Sequence, residues 1–177
     1  MEEEKYKQDK PFYPIQGFHM DSWKRAVQHV INDVVTDVLA YDEEERTPRY
    51  LLDVFKEKWQ ALSPFWFNHQ TSYYLWLVHI SGTLLPFLEK ERGSIFGWVQ
   101  YREYPKVWSS QHFTVPLIKE NDCLTIYVFE KNDEVLFHAA EAMAINAQYS
   151  REKVPKYLQL HSVESGRTVF YHLKHAG

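Results

Sequence analysis

The chain has 177 residues, 45% hydrophobic and 25% charged, and its 6 Trp, 12 Tyr and 11 Phe exclude a disordered protein. A formal charge of −4 supplies no long-range attraction for nucleic acid or anionic lipid, so neither nucleic acid nor membrane is an expected partner. The single cysteine, Cys123, excludes an internal disulfide, and the acidic start Met1-Glu2-Glu3-Glu4 is unlike a signal peptide, which predicts a cytoplasmic protein.

Residues 1–20 mix charge with Pro11, Pro14 and Gly17 and read as an N-terminal arm, followed by a single globular domain over 21–177. Asp21 is placed to cap a first helix, in which Trp23, Val27, Val30, Ile31, Val34, Val35 and Val38 recur at helical spacing. Lys24, Arg25, Gln28, Asn32, Asp33 and Thr36 are assigned to its opposite, solvent side. Thr47-Pro48 then opens a second helix, with the hydroxyl as cap and proline at the first helical position, where its missing donor costs nothing. Leu51, Leu52, Phe55, Trp59 and Leu62 form its apolar stripe.

Ser63-Pro64 repeats that punctuation and begins the stretch that organises the chain, Pro64 to Gly93. Apolar residues fall on every side of it, so as a helix it has no solvent face and is expected to be central and covered by neighbours. Its length suits a bilayer, but Asn68, His69, Gln70, Thr71, His79, Ser81 and Pro86 interrupt it with groups that lipid does not satisfy. Pro86 predicts a kink or an end, and Gly93 a C-terminal cap closing a helical half over 22–92.

Beyond Gly93 the pattern alternates. Ile95 to Tyr104 and His112 to Ile118 read as strands joined by a loop carrying Trp108, with Pro116 placing the second at an edge or a bulge. Cys123 to Glu130 reads as a strand covered on both faces. Asn132 or Asp133 caps a helix whose narrow face of Leu136, Ala139, Ala140, Met143 and Ala147 suits packing on a sheet. The last segment reads as a hairpin. A two-residue turn at Ser165-Gly166 puts Leu158, Leu160, Val169, Tyr171 and Leu173 on one face and Gln159, His161, Phe170, His172 and Lys174 on a wetter one. The fold class is therefore α+β: a helical N-terminal half packed on a predominantly antiparallel sheet over 94–175, with one intervening helix.

Glycine-rich phosphate loops, a nucleophile elbow and a zinc-binding H-E-x-x-H helix are all absent, and Cys123 lies inside a strand as a small hydrophobe, so no catalytic residue is assigned. On the two-residue turn His161 and His172 are diagonal neighbours, which makes them a candidate metal pair without an evident third ligand. His138 and Glu141 share a helical face as an ordinary surface pair. His79, flanked by Trp76, Leu77, Val78 and Ile80, is either a hydrogen-bonded core histidine or the ligand of a heme in a pocket formed with Trp66, Tyr73 and Trp76.

The order of elements, a helical half ending in a histidine-bearing helix and then strands, one helix and a terminal strand pair, resembles heme-based nitric oxide and oxygen sensor domains. In that family a Tyr-x-Ser-x-Arg motif grips the heme propionates. The comparable place here reads Tyr127-Val128-Phe129-Glu130-Lys131, with Phe and Lys at the Ser and Arg positions, so the heme is not carried over.

Two functions are expected from these features. The first is a non-enzymatic regulatory or adaptor domain that binds a protein partner or itself, with Trp98, Trp108, Phe170, His161 and His172 as contact candidates. The second is a small-molecule sensor with a pocket between the central helix and the sheet.

Overall fold

A computed structural model describes residues 22–67, 69–102, 112–149 and 153–174. The N-terminal arm, the Asp21 cap and Trp108 lie outside these residues. Helices α1 (Ser22–Leu39), α2 (Pro48–Trp59) and α3 (Gln70–Lys90) come first. Strands β1 (Ser94–Arg102), β2 (His112–Glu120), β3 (Cys123–Val128), β4 (Tyr157–Ser162) and β5 (Arg167–His172) follow, with helix α4 (Asp133–Tyr149) between β3 and β4. The strands form one sheet in the order β1-β2-β3-β4-β5, antiparallel except for β3 and β4. That parallel pair needs a crossover, and α4 supplies it. The α+β architecture and the change of character at residue 93 are as the sequence predicts.

Local chemistry sets several boundaries. The Thr47 hydroxyl accepts from the Tyr50 N–H at 3.3 Å, and Asn132 Oδ1 accepts from Glu134 and Val135 N–H at 2.9 and 3.4 Å. Each side chain meets a first-turn donor that the helix leaves unpaired.

The alternation of β3 divides the core. Leu124, Ile126 and Val128 meet Leu136, Ala139, Ala140 and Met143 of α4 on one side of the sheet. Tyr127 and Phe129 join the core of α1, α2 and α3 on the other. Among the described residues no helix is long and apolar enough to cross a membrane.

Four sequence expectations are corrected. Gln28 and Asn32 are buried, although they were assigned to the solvent side of α1. The cause lies in β2, which is an interior strand and not an edge. Its ladder with β3 runs only from Glu120↔Cys123 to Ile118↔Thr125 and stops short of Pro116, which has no N–H to contribute. Side-chain amides from α1 enter the seam that opens there. Gln28 Nε2 donates to the Tyr127 carbonyl at 3.1 Å, and Gln28 Oε1 accepts from the Phe129 N–H at 2.6 Å. Asn32 Nδ2 donates to the Thr114 carbonyl at 2.6 Å, and Gln28 Nε2 also donates to Asn32 Oδ1 at 2.9 Å.

The organising stretch is not one covered helix. Pro64–Phe67 forms a separate 3-10 turn, and α3 starts at Gln70 and continues through Pro86 to Lys90. Tyr73, Ile80, Leu84 and Leu88 are buried, but Tyr74, Leu75 and Val78 are exposed. Gly93 is no helix cap, since Glu91 leaves α3 in an extended conformation. It marks a close approach instead: a Cβ there would strike the Ile118 side chain and lie 3.1 Å from the Lys119 carbonyl.

The hairpin register is offset by two residues from the expected one. His161 pairs with Thr168 and Ser162 with Arg167, so the connection has four residues, Val163 to Gly166. Val163 is pulled into the core and donates its N–H to the Val128 carbonyl at 2.8 Å, and Gly166 adopts a φ of +68°. A shift of two preserves the faces, because the side-chain period of a strand is two.

Candidate functional site

The four residues expected to line a cofactor pocket are placed as follows. The Tyr73 hydroxyl donates to the Trp59 carbonyl at 3.3 Å. Trp76 packs with its ring centroid 5.3 Å from that of Trp23 and 5.4 Å from that of Phe129. Trp66 lies half-buried against the same cluster. His79 is exposed, with Nε2 only 2.6 Å from the Glu164 carbonyl. A carbonyl accepts, so Nε2 carries the proton and the lone pair lies on Nδ1. Tyr73 and Trp76 thus pack within an aromatic cluster, and His79 stands on the surface beside Glu164.

The metal pair also separates. His161 and His172 lie four residues apart along the hairpin, opposite Thr168 and Tyr157, a distance of about 13 Å on a strand. Among the described residues no three His, Cys, Asp or Glu side chains gather to hold a metal ion. His138 Nδ1 and Glu141 Oε2 form the expected surface pair at 2.9 Å.

Two features of α3 remain. The first is its outer face. From Gln70 to Leu88 the helix has no Asp, Glu, Lys or Arg, yet Tyr74, Leu75 and Val78 are 54%, 65% and 66% exposed. Further along, a Cβ on Gly82 would find nothing within 4 Å, and Pro86 is exposed. Phe65, on the preceding 3-10 turn, is also exposed.

The second is a cleft of about 290 Å³ between the last turn of α3 and the inner faces of β3, β4 and β5. Phe87, Lys90 and Glu91 border it from the helix. Its floor is a hydrogen-bonded row across three strands. The Cys123 Sγ lies 3.8 Å from Gln159 Oε1, Gln159 Nε2 lies 2.9 Å from His161 Nε2, and His161 Nδ1 lies 2.8 Å from Thr168 Oγ1. An amide nitrogen only donates, so His161 accepts at Nε2 and donates from Nδ1 to Thr168.

The His161 ring packs against both Phe87 and Tyr127, with centroids at 4.1 and 4.8 Å, and those two rings lie 6.4 Å from each other. Burial lowers its pKa to about 4, which keeps it neutral at ordinary pH. Beside it the Tyr127 hydroxyl donates to Glu91 Oε2 at 2.7 Å, and Glu91 Oε1 accepts from the Gly93 N–H at 2.9 Å. Burial, reinforced by the Glu91 carboxylate, raises the Tyr127 phenol well above its ordinary value, and burial raises the Cys123 thiol. The row therefore consists of neutral donors and acceptors.

Of the predicted contact residues, Phe170 is 65% exposed at this cleft and Trp98 is half exposed on β1. His172 is exposed, while His161, expected on the wetter face, is buried under Phe87. Sequence reasoning placed Gln159, His161 and Phe170 on one face but missed Phe87 and Glu91, because no local signal in α3 says which strand its last turn covers. The chain matches no protein-family model, no curated protein and no solved structure.

Proposed function

We propose that the protein is a non-catalytic regulatory or adaptor domain that self-associates through the outer face of α3. The observation that carries this reading is the exposure of Leu75 and Val78 on a helix free of Asp, Glu, Lys and Arg from Gln70 to Leu88. A solvated helix ordinarily presents charge on its outer side, and contiguous exposed apolar surface marks contact sites. A second copy is the favoured occupant. A two-fold contact sets identical patches against each other, and an uncharged patch does so without like-charge repulsion. The open space over Gly82 lets two helices approach closely. At 21 residues the helix is about 31 Å long and, with side chains, about 10 Å wide. Its own footprint falls short of the roughly 800 Å² per partner of a standard interface, so Phe65 and neighbouring residues are expected to contribute.

Two groups that catalysis commonly uses are not activated here. Cys123 is held as a thiol, and both ring nitrogens of His161 are engaged.

Sedimentation velocity over roughly 1 to 100 μM tests the proposal, a range set by the micromolar affinities of modest interfaces. The wild type is expected to form a concentration-dependent dimer, and Leu75→Glu/Val78→Glu to stay monomeric with unchanged circular dichroism. A monomeric wild type, or a dimer that survives the double substitution, would overturn it. Dimerisation only after deletion of residues 1–20 would instead assign the face to the chain's own N-terminal segment.

A further inference from the structure

We infer that the cleft beneath the last turn of α3 is a binding site for a small, neutral, planar molecule with an amide-like edge of adjacent hydrogen-bond donor and acceptor. The site is separate from the outer face of α3. Its volume of about 290 Å³ is close to the lower end of small-molecule pockets, room for one ring with substituents.

The edge is argued from Gln159. A carboxamide offers two donor hydrogens and two acceptor positions. Here one hydrogen goes to His161 and at most one acceptor position to the Cys123 thiol, which leaves at least one of each on neighbouring atoms. Thr168 accepts from His161 and keeps its own hydroxyl proton to donate. The planar body is argued from Phe170, directly opposite Gln159 in the β4–β5 ladder. An amide and an aromatic ring 65% exposed thus stand side by side on one sheet face. A ring stacked on Phe170 with its polar edge on Gln159 covers apolar surface now in water.

Neutrality follows from the distribution of charge. The floor side chains Cys123, Thr125, Gln159, His161 and Thr168 carry none. The Glu91 carboxylate is engaged by Tyr127 and Gly93. Lys90 and Glu120, both exposed, bring opposite charges to the rim. A carboxylate entering the cleft would lose hydration over an uncharged floor and meet one lysine against two glutamates in the lining.

Benzamide is the probe, with benzoate as its charged counterpart of the same shape, each titrated into the ¹⁵N-labelled full chain by NMR. Benzamide is expected to bind saturably with Kd on the order of 1 mM, as its size allows. The shifts should centre on the Gln159 side-chain amide and the backbone amides of Thr168 and Phe170. Benzoate should bind at least about tenfold more weakly, and the exposed position of Phe170 allows Phe170→Ala to weaken benzamide about fivefold while the fold stays intact. Gln159→Leu should abolish binding; if it fails to fold, Phe170→Ala decides the matter. No saturable shift by about 20 mM, twenty times the expected Kd, would overturn the site. So would benzamide binding that Phe170→Ala leaves unchanged, and equal binding of benzoate would overturn the assigned class.

Discussion

His161 takes its character from the two rings packed against it. Phe87 and Tyr127 remove the ring from water, and burial lowers its pKa from 6.5 to about 4. In the unfolded chain the ring titrates near its ordinary value. Between these two values the unfolded state binds more protons than the folded one, so stability falls as pH drops from about 6.5 to 4. The contribution is present in full above pH 6.5 and amounts to about 3 kcal/mol. Urea denaturation of wild type and His161→Gln at pH 7 and pH 4 isolates it. The wild type should lose about 3 kcal/mol more than the variant over that interval, and parallel losses would mean that the ring is solvated. The strand alternation in the sequence placed this residue on the correct face. It could not disclose the burial, because Phe87 arrives from a helix more than seventy residues earlier.

At the scale of elements, the seam between β2 and β3 shows a helix completing a sheet. Gln28 supplies a donor and an acceptor where a strand would supply two backbone groups. Gln28→Leu keeps helix propensity and approximate size but strands the Tyr127 carbonyl and the Phe129 N–H without partners. A loss of roughly 2 to 4 kcal/mol is expected from two buried unpaired groups, measured by chemical denaturation. A loss below about 1 kcal/mol, usual for surface positions, would show that water replaces the amide. The stripe of α1 was legible at helical spacing. The role of Gln28 and Asn32 was not, since polarity in a sequence does not distinguish solvent from an unfinished ladder, and Pro116 was the one local hint. In α3 the reverse holds: uniform apolarity implies coverage on all sides, while packing covers only the face of Tyr73, Ile80, Leu84 and Leu88. The hairpin face was legible by parity, but its four-residue connection depends on the burial of Val163, a tertiary contact.

For the molecule as a whole, two cores share one sheet, and they should fail together. Leu136, almost fully buried, belongs to the α4 side, whereas Trp23, Trp59, Trp66 and Trp76 belong to the helical side. Leu136→Ala should cost about 2 to 5 kcal/mol. Tryptophan fluorescence and far-ultraviolet circular dichroism should then report the same shifted transition. An unshifted fluorescence transition would show that the two sides unfold independently.

The parallel pairing of β3 with β4 also imposes an order in time. Antiparallel β1, β2 and β3 are complete once residue 128 has been made, but the strand that covers the far edge of β3 begins at Tyr157 and follows the whole of α4. During synthesis β3 therefore waits with an open edge, and its Leu124, Ile126 and Val128 lack the helix that buries them in the finished fold. Those residues need protection from other chains until the crossover closes.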